Sequence, residues 1–164
     1  LRKSKKLSLP IKLLARHDID FVLAQTINCI YYKNSGIIKN KFYKQERLCS
    51  RKQIELLFEQ KNSANAFPIK AVFMNVEVDI PFPIQAMFVV PKRNFKKAHD
   101  RNKIRRRMRE AYRLNKNSIY DELKPAGTKM LIAFIYTGKE EKDYLTVETS
   151  IKKLFVAIVD NKKK

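Results

Sequence analysis

The chain has 164 residues with 45% apolar content, enough to bury one core but not two full domains. Its 36 Lys and Arg against 16 Asp and Glu give a formal charge of +20, with a pI near 10.1, which points to nucleic acid first and anionic membrane surfaces second. Two cysteines, Cys29 and Cys49, and two histidines, His17 and His99, exclude a disulfide framework and a familiar zinc spacing, and they fit a reduced cytosolic setting.

Residues 1–41 read as an N-terminal extension. Arg2, Lys3, Lys5 and Lys6 lead into Leu7–Leu14 like a targeting sequence, but Lys12, Arg16, His17, Asp18 and Asp20 interrupt any apolar run. No stretch approaches the roughly 18 apolar residues that a membrane helix needs. The segment from Phe21 to Tyr32 has a period ambiguous between strand and helix. The extension is expected to be dispensable, so that deleting Leu1–Asn40 leaves reconstituted activity within a few-fold.

From Lys41 the signals sharpen. Ser50-Arg-Lys-Gln53 has the capping-box pattern, and Ile54, Leu57 and Phe58 follow at helical spacing, so a short amphipathic helix is expected near 50–60. Lys61–Asn65 reads as a loop by composition. Phe67–Val78 and Ile84–Val90 read as strands separated by the break at Asp79–Pro83, and together as an antiparallel hairpin with a proline-bearing loop.

Next comes Pro91–Lys116, the stretch around which the rest is organised. It holds twelve Lys or Arg against Asp100 and Glu110, a net +10 that is half the charge of the chain. At 100° per residue, Ile104, Met108, Ala111 and Tyr112 form one stripe, while Asn102, Arg105, Arg106, Arg109 and Arg113 form a neighbouring arc. A helix from Arg101 with Asp100 as its N-cap therefore packs and displays charge at once. Pro125-Ala-Gly127 ends it. Lys129–Tyr136, almost wholly apolar, suits a strand covered on both faces in the interior of a sheet. Gly138–Asp143 is a charged loop, Val147–Asp160 a closing amphipathic helix with Thr146 as its cap, and residues 161–164 a basic tail.

Arg outnumbers Lys within the basic helix, and its planar fork suits bidentate phosphate contacts. An ordinary solvated face needs acids at i±4, and Glu110 alone is available. No carboxylate cluster or pair of acid-base histidines accompanies the phosphate-binding face. Catalysis is therefore not assigned to any residue of the chain, and His99 reads as a further contact or a capping-region residue. A helix-turn-helix DNA regulator needs a second helix just before the basic one, where a strand and a proline-bearing loop stand instead.

The run His99-Asp100-Arg101-Asn102-Lys103-Ile104-Arg105-Arg106-Arg107-Met108-Arg109-Glu110 resembles the RNR signature of the bacterial ribonuclease P protein subunit. The lead-in Pro91–His99, Glu46-Arg47-Leu48 and Leu154-Phe155 are similar to family features too, so the resemblance spans roughly Tyr43–Asp160. It implies an α/β (α+β) two-layer sandwich, ribosomal protein S5 domain 2-like, with a short helix over a four-stranded sheet and the basic helix in a left-handed βαβ crossover, against the usual right-handed rule. The domain would cover 42–160.

The resemblance also implies the function. In that family the catalyst is an RNA subunit that removes the 5′ leader of precursor tRNA with Mg2+ bound mainly by RNA and substrate. The protein, one per RNA and cytoplasmic, binds that RNA and the leader. The RNA-binding set would be Lys92, Arg93, Lys96, Lys97, Arg101, Asn102, Lys103, Arg105, Arg106, Arg109 and Arg113. A leader cleft between the first helix and the sheet would use Ile54 and Phe58, where the family usually has two aromatics, with Phe73 and Phe88 as further rings; the alternative for each Phe is plain core packing. The other reading kept open is a non-catalytic ribosomal or ribosome-associated RNA-binding protein.

Overall fold

The computed structural model describes residues 40–60, 62–77, 80, 82–123 and 127–162. In chain order they form a 3-10 turn (Lys44–Glu46), α1 (Arg51–Glu59), β1 (Ser63–Ala66), β2 (Ile69–Val76), β3 (Ile84–Val89), α2 (Ala98–Leu123), β4 (Lys129–Tyr136) and α3 (Tyr144–Lys162). The extension read over residues 1–41 lies outside the described residues except for Asn40 and Lys41. Those two are already part of the fold, because Arg113 donates to the Asn40 carbonyl and Lys116 Nζ to the Lys41 carbonyl at 2.5 Å. At the other end α3 takes in Asn161 and Lys162, the first half of the expected tail.

β4 is the keystone of the sheet. Leu131, Ile132, Ala133 and Phe134 have no exposed surface, as a strand covered on both faces requires. It pairs antiparallel with β2 along its whole length, from Ile69↔Tyr136 to Val76↔Lys129, and parallel with β3, from Ile84↔Met130 to Val89↔Ile135. The order is thus β1-β2-β4-β3, and the expected hairpin between β2 and β3 does not form. The most apolar strand takes the centre, where both its edges are hydrogen-bonded, and it separates two strands that are neighbours in sequence. The hairpin lies one strand earlier. Ser63–Ala66, with little strand propensity and lying mostly within the loop expected over Lys61–Asn65, pairs antiparallel with β2 across the Phe67–Pro68 turn, whose peptide bond is cis.

Alternation along the strands sorts the side chains onto two faces. Ile69, Ala71, Phe73, Ile84, Ala86, Met130, Ile132, Phe134 and Tyr136 face α2 and α3, packing on Ile104, Met108, Tyr112, Ile151, Leu154 and Phe155. Val72, Leu131 and Ala133 face the other way, under Leu57 of α1 and beside Leu48 and Ile80, with Ile54, Met74, Val76, Met87 and Ile135 partly buried around them. Because α1 has only nine residues, it covers part of that second face.

The helix ends refine the sequence reading. α1 has the expected span with Ser50 at the N-cap position, yet the Ser50 side chain makes no cap hydrogen bond. α2 starts at Ala98, so Asp100 is an acid within the first turn rather than its cap, where it still complements the dipole. α3 starts at Tyr144, and its cap is Asp143, whose Oδ1 accepts from the Thr146 backbone N–H at 3.3 Å and from the Thr146 hydroxyl. After α2 the chain turns through Gly127 at φ +58, a left-handed conformation that glycine adopts without strain.

Candidate nucleic-acid interface

The basic loop ahead of α2 is pinned from inside. The Asn94 side chain donates to the carbonyls of Thr137 (3.3 Å) and Gly138 (3.1 Å), and Phe95 is buried against Tyr136. With Asn94 and Phe95 turned inward, Lys92, Arg93, Lys96 and Lys97 are left exposed. Arg101 then ties loop to helix, its Nη1 donating to the carbonyls of Phe95 (2.9 Å) and Lys96 (2.7 Å). The guanidinium of this half-buried residue, expected in the RNA-binding set, thus has its Nη1 engaged within the fold.

Along α2 the buried residues begin Ile104, Met108, Ala111 and Tyr112, the predicted stripe. The cations around that stripe divide by what faces them. On one flank, Lys103 and Arg107 reach Glu141 at 2.8 and 2.6 Å, and Arg107 also donates to the Lys142 carbonyl at 2.6 Å. At the outer edge, Arg113 is held by Glu110 through contacts of 2.9 and 2.6 Å. Lys103 and Arg113, both expected in the RNA-binding set, are therefore charge-compensated within the fold. Arg106 and Arg109 share with Arg107, Glu110, Arg113 and Tyr144 the lining of an open depression of about 440 Å³.

The other flank has no such compensation. Arg105 donates to Asn102 Oδ1 at 2.9 Å, which orients its guanidinium without neutralising it. Arg109 has a buried Nε with no acceptor. Burial, followed by the charges of Arg47, Arg105 and Arg106, holds its guanidinium below the usual arginine range. Among the described residues no carboxylate pairs with Arg105, Arg106 or Arg109. A row of like charges gathered without a counter-charge is stabilised by an external polyanion.

Lys116 belongs to the same flank but is wholly internal. It and Glu46 form a buried ion pair, with side chains 3% and 0% exposed. Its Nζ also lies over the rings of Tyr43 (5.6 Å) and Tyr120 (5.5 Å). Sequence reasoning counted Lys116 only in the charge total of the stretch and gave Glu46 only a family resemblance. The signal present was Lys116 itself, a charge on the continuation of the apolar stripe between Tyr112 and Ile119.

The four leader-cleft candidates do not come together. Ile54 is partly buried beneath α1 on the face bearing Leu131 and Ala133, and Phe58, 48% exposed, lies one turn further along the same helix. Phe73 and Phe88 are on the opposite face. Phe73 is 8% exposed within the core under α2 and α3, and Phe88 is boxed by Phe42, Tyr112 and Phe134 with ring centroids 5.5–5.8 Å apart. Strand parity puts them in the core, so neither lines a cleft beneath α1. Beside Ile54, the partly buried apolar side chains on the α1 face are Met74, Val76, Met87 and Ile135, none of which sequence reasoning singled out.

Among the described residues no group of three or more His, Cys, Asp or Glu is placed to hold a metal ion. No helix among them is long and apolar enough to cross a membrane.

The family model described as Ribonuclease P matches residues 42–159. The chain is 33% identical to the ribonuclease P protein component of Porphyromonas gingivalis, an alignment covering 72% of this chain and 86% of that one. It is 32% identical to the component of Chlorobium phaeobacteroides over 63% of this chain and 77% of that one. Among solved structures it superposes on the ribonuclease P protein of Thermotoga maritima with a TM-score of 0.54 and 26% identity, covering 66% of this chain and 94% of the other. The Staphylococcus aureus ribonuclease P protein has the same fold, with a TM-score of 0.55 at 18% identity over 69% of this chain and 94% of the other.

Proposed function

The chain belongs to the ribonuclease P protein family, and we propose that it binds its RNA subunit through the unpaired flank of α2 and the 5′ leader of precursor tRNA through the surface beside α1. Ribonuclease P is a ribonucleoprotein in which the RNA carries the catalysis, and this chain is its non-catalytic protein subunit. The observation that carries the binding assignment is the Asn102, Arg105, Arg106 and Arg109 array, which has no carboxylate partner among the described residues. Lys92, Arg93, Lys96 and Lys97 extend it. The ribosomal or ribosome-associated reading is not favoured by the family relationship.

In this reading magnesium is bound mainly by the RNA subunit and the substrate. What the protein supplies is charge neutralisation and positioning. RNA–RNA contacts that otherwise need high magnesium become accessible when a cationic face takes part of the phosphate charge. The reading places the protein in the cytoplasm with one copy per RNA. The deciding experiment mixes the purified chain, a ribonuclease P RNA and a precursor tRNA at low magnesium. Cleavage is expected only when both protein and RNA are present; cleavage by the protein alone, or no effect of the protein on the RNA, overturns the reading.

The leader surface has its own test. Half of Phe58 faces solvent, so Phe58→Ala is expected to cost little stability while removing a stacking ring worth about 1–3 kcal/mol of precursor affinity. Affinity for the RNA subunit and for mature tRNA should be nearly unchanged. Equal losses for precursor and mature tRNA count against a leader contact.

A further inference from the structure

We propose that Arg47, from the strand-like segment ahead of α1, is a member of the RNA-binding face and converges with Arg109 on one backbone phosphate of the RNA subunit. This rests on the assignment of α2 as the RNA-binding helix and extends it to a second, non-helical element.

The placement of Arg47 is fixed by its neighbours. Residues 45–48 run along the outer edge of β3: Arg47 bridges to Ala86 in parallel register, the Leu48 N–H donates to the Ala86 carbonyl at 3.1 Å, and Gln85 Nε2 donates to the Gln45 carbonyl at 3.1 Å. Within this segment Glu46 and Leu48 are buried and Arg47 is exposed. Glu46 is committed to Lys116 of α2. Arg109 and Lys116, seven residues apart, lie on the same side of that helix about 10 Å from each other along its axis. With Glu46 seated on Lys116, the adjacent Arg47 is carried to the side of α2 that bears Arg109, and of the like charges acting on that guanidinium its charge acts most strongly.

The Arg47 side chain is also held ready. Its guanidinium carbon lies 5.8 Å from the centroid of the Phe42 ring, and Phe42 is itself wedged edge-on against Phe88 and Tyr112. Stacking on an aromatic face restrains a guanidinium while leaving its N–H edge available. Among the described residues Arg47 has no carboxylate partner. Two uncompensated guanidiniums, one restrained by a ring and one by burial, each carry the planar donor fork that suits a phosphodiester. Protein carboxylates would serve the same electrostatics, but the face to which Arg47 is joined already carries Arg105 and Arg106 for a linear polyanion.

The test measures binding of the full chain to ribonuclease P RNA without substrate, across a salt series, for Arg47→Ala, Arg47→Lys and Arg105→Ala, with thermal melting of each. Arg47→Ala is expected to weaken binding about five- to tenfold and to lower the slope of log affinity against log salt by about one unit. Arg47→Lys should keep the slope and lose part of the affinity, since an ammonium keeps the charge without the fork. Combining Arg47→Ala with Arg109→Ala should lose less than the sum of the two, as expected for one shared phosphate. If Arg105→Ala weakens binding while Arg47→Ala leaves affinity and slope unchanged with normal melting, Arg47 is a bystander and the proposal fails while the α2 assignment stands. If neither variant changes binding, the α2 assignment has failed and the proposal with it. Should Arg47→Ala melt early, Arg47→Lys decides: unchanged affinity and additive behaviour with Arg109→Ala overturn the shared phosphate.

Discussion

Replacing Lys116 with Met is expected to destabilise the fold by about 3–5 kcal/mol, because it leaves the Glu46 carboxylate buried without its cation. Glu46 is already the costlier partner: its Oε2 has no hydrogen-bond partner, and burial pushes its carboxyl above the ordinary range despite the Lys116 contact. Burial correspondingly lowers the Lys116 ammonium. Both directions say that each charge resists burial and that the contact between them keeps the pair in place. Removing both charges, with Glu46→Leu and Lys116→Met together, should therefore recover most of the loss. The single variant carries a pH signature as well. An acid whose folded pKa is raised binds more protons folded than unfolded, so stability falls as pH rises through the window above its ordinary value of 4.5. The Lys116→Met defect should shrink in acid and deepen toward neutrality. Denaturant melts of the two variants at several pH values check it, and a pH-independent loss of under about 1 kcal/mol shows the pair to be dispensable.

The parts of this fold that were legible in the sequence are those written in local period. The α2 stripe of Ile104, Met108, Ala111 and Tyr112 and the central position of β4 follow from helical spacing and from a run too apolar for any half-exposed strand. Pairing is not written locally. β2 and β3 look like a hairpin because they are adjacent in sequence, and only the competition for the centre of the sheet, won by β4, separates them. Which face α1 takes is equally non-local. Phe73 and Phe88 share strand parity with Ile69, Ala71, Ile84 and Ala86, so they could have been grouped together from sequence, but not assigned to the α2 and α3 side.

The same distinction governs the interface. A search for acids one helical turn away finds Glu110, which pairs with Arg113 at i+3, whereas Glu141, which compensates Lys103 and Arg107, arrives from beyond β4. Compensation from a distant element divides what looks like one basic helix into a structural flank and a displayed flank. Charge count therefore overstates how many cations α2 leaves uncompensated. Arg101 and Arg107 are spent largely on backbone carbonyls and Glu141, and Asn102, neutral and easily passed over, orients Arg105.

The displayed flank is the place for the second large effect, obtained by replacing Arg105 and Arg109 together with Ala. Each is expected to give up about 1.5–3 kcal/mol of charge-assisted contact with RNA phosphate, so the pair should weaken binding to the RNA subunit by at least about a hundredfold. The salt slope should fall by about two units, one for each lost phosphate contact. The protein itself should not suffer. Neither residue belongs to the buried stripe, and Arg109 sits where burial and the charges of Arg47, Arg105 and Arg106 all disfavour its cationic form, so removing the two charges relieves repulsion and the free protein should melt at the same temperature or higher. Lys103→Ala and Arg107→Ala are the matched controls: the same number of charges leaves α2, but from the flank already paired to Glu141, and RNA affinity should fall much less while the contact with the loop around Glu141 loosens. Measuring RNA-subunit affinity at several salt concentrations beside thermal stability for both double variants separates position from charge. Equal losses of affinity for the two pairs mean that the RNA responds to net charge alone, and the division of α2 into two flanks then has no part in recognition.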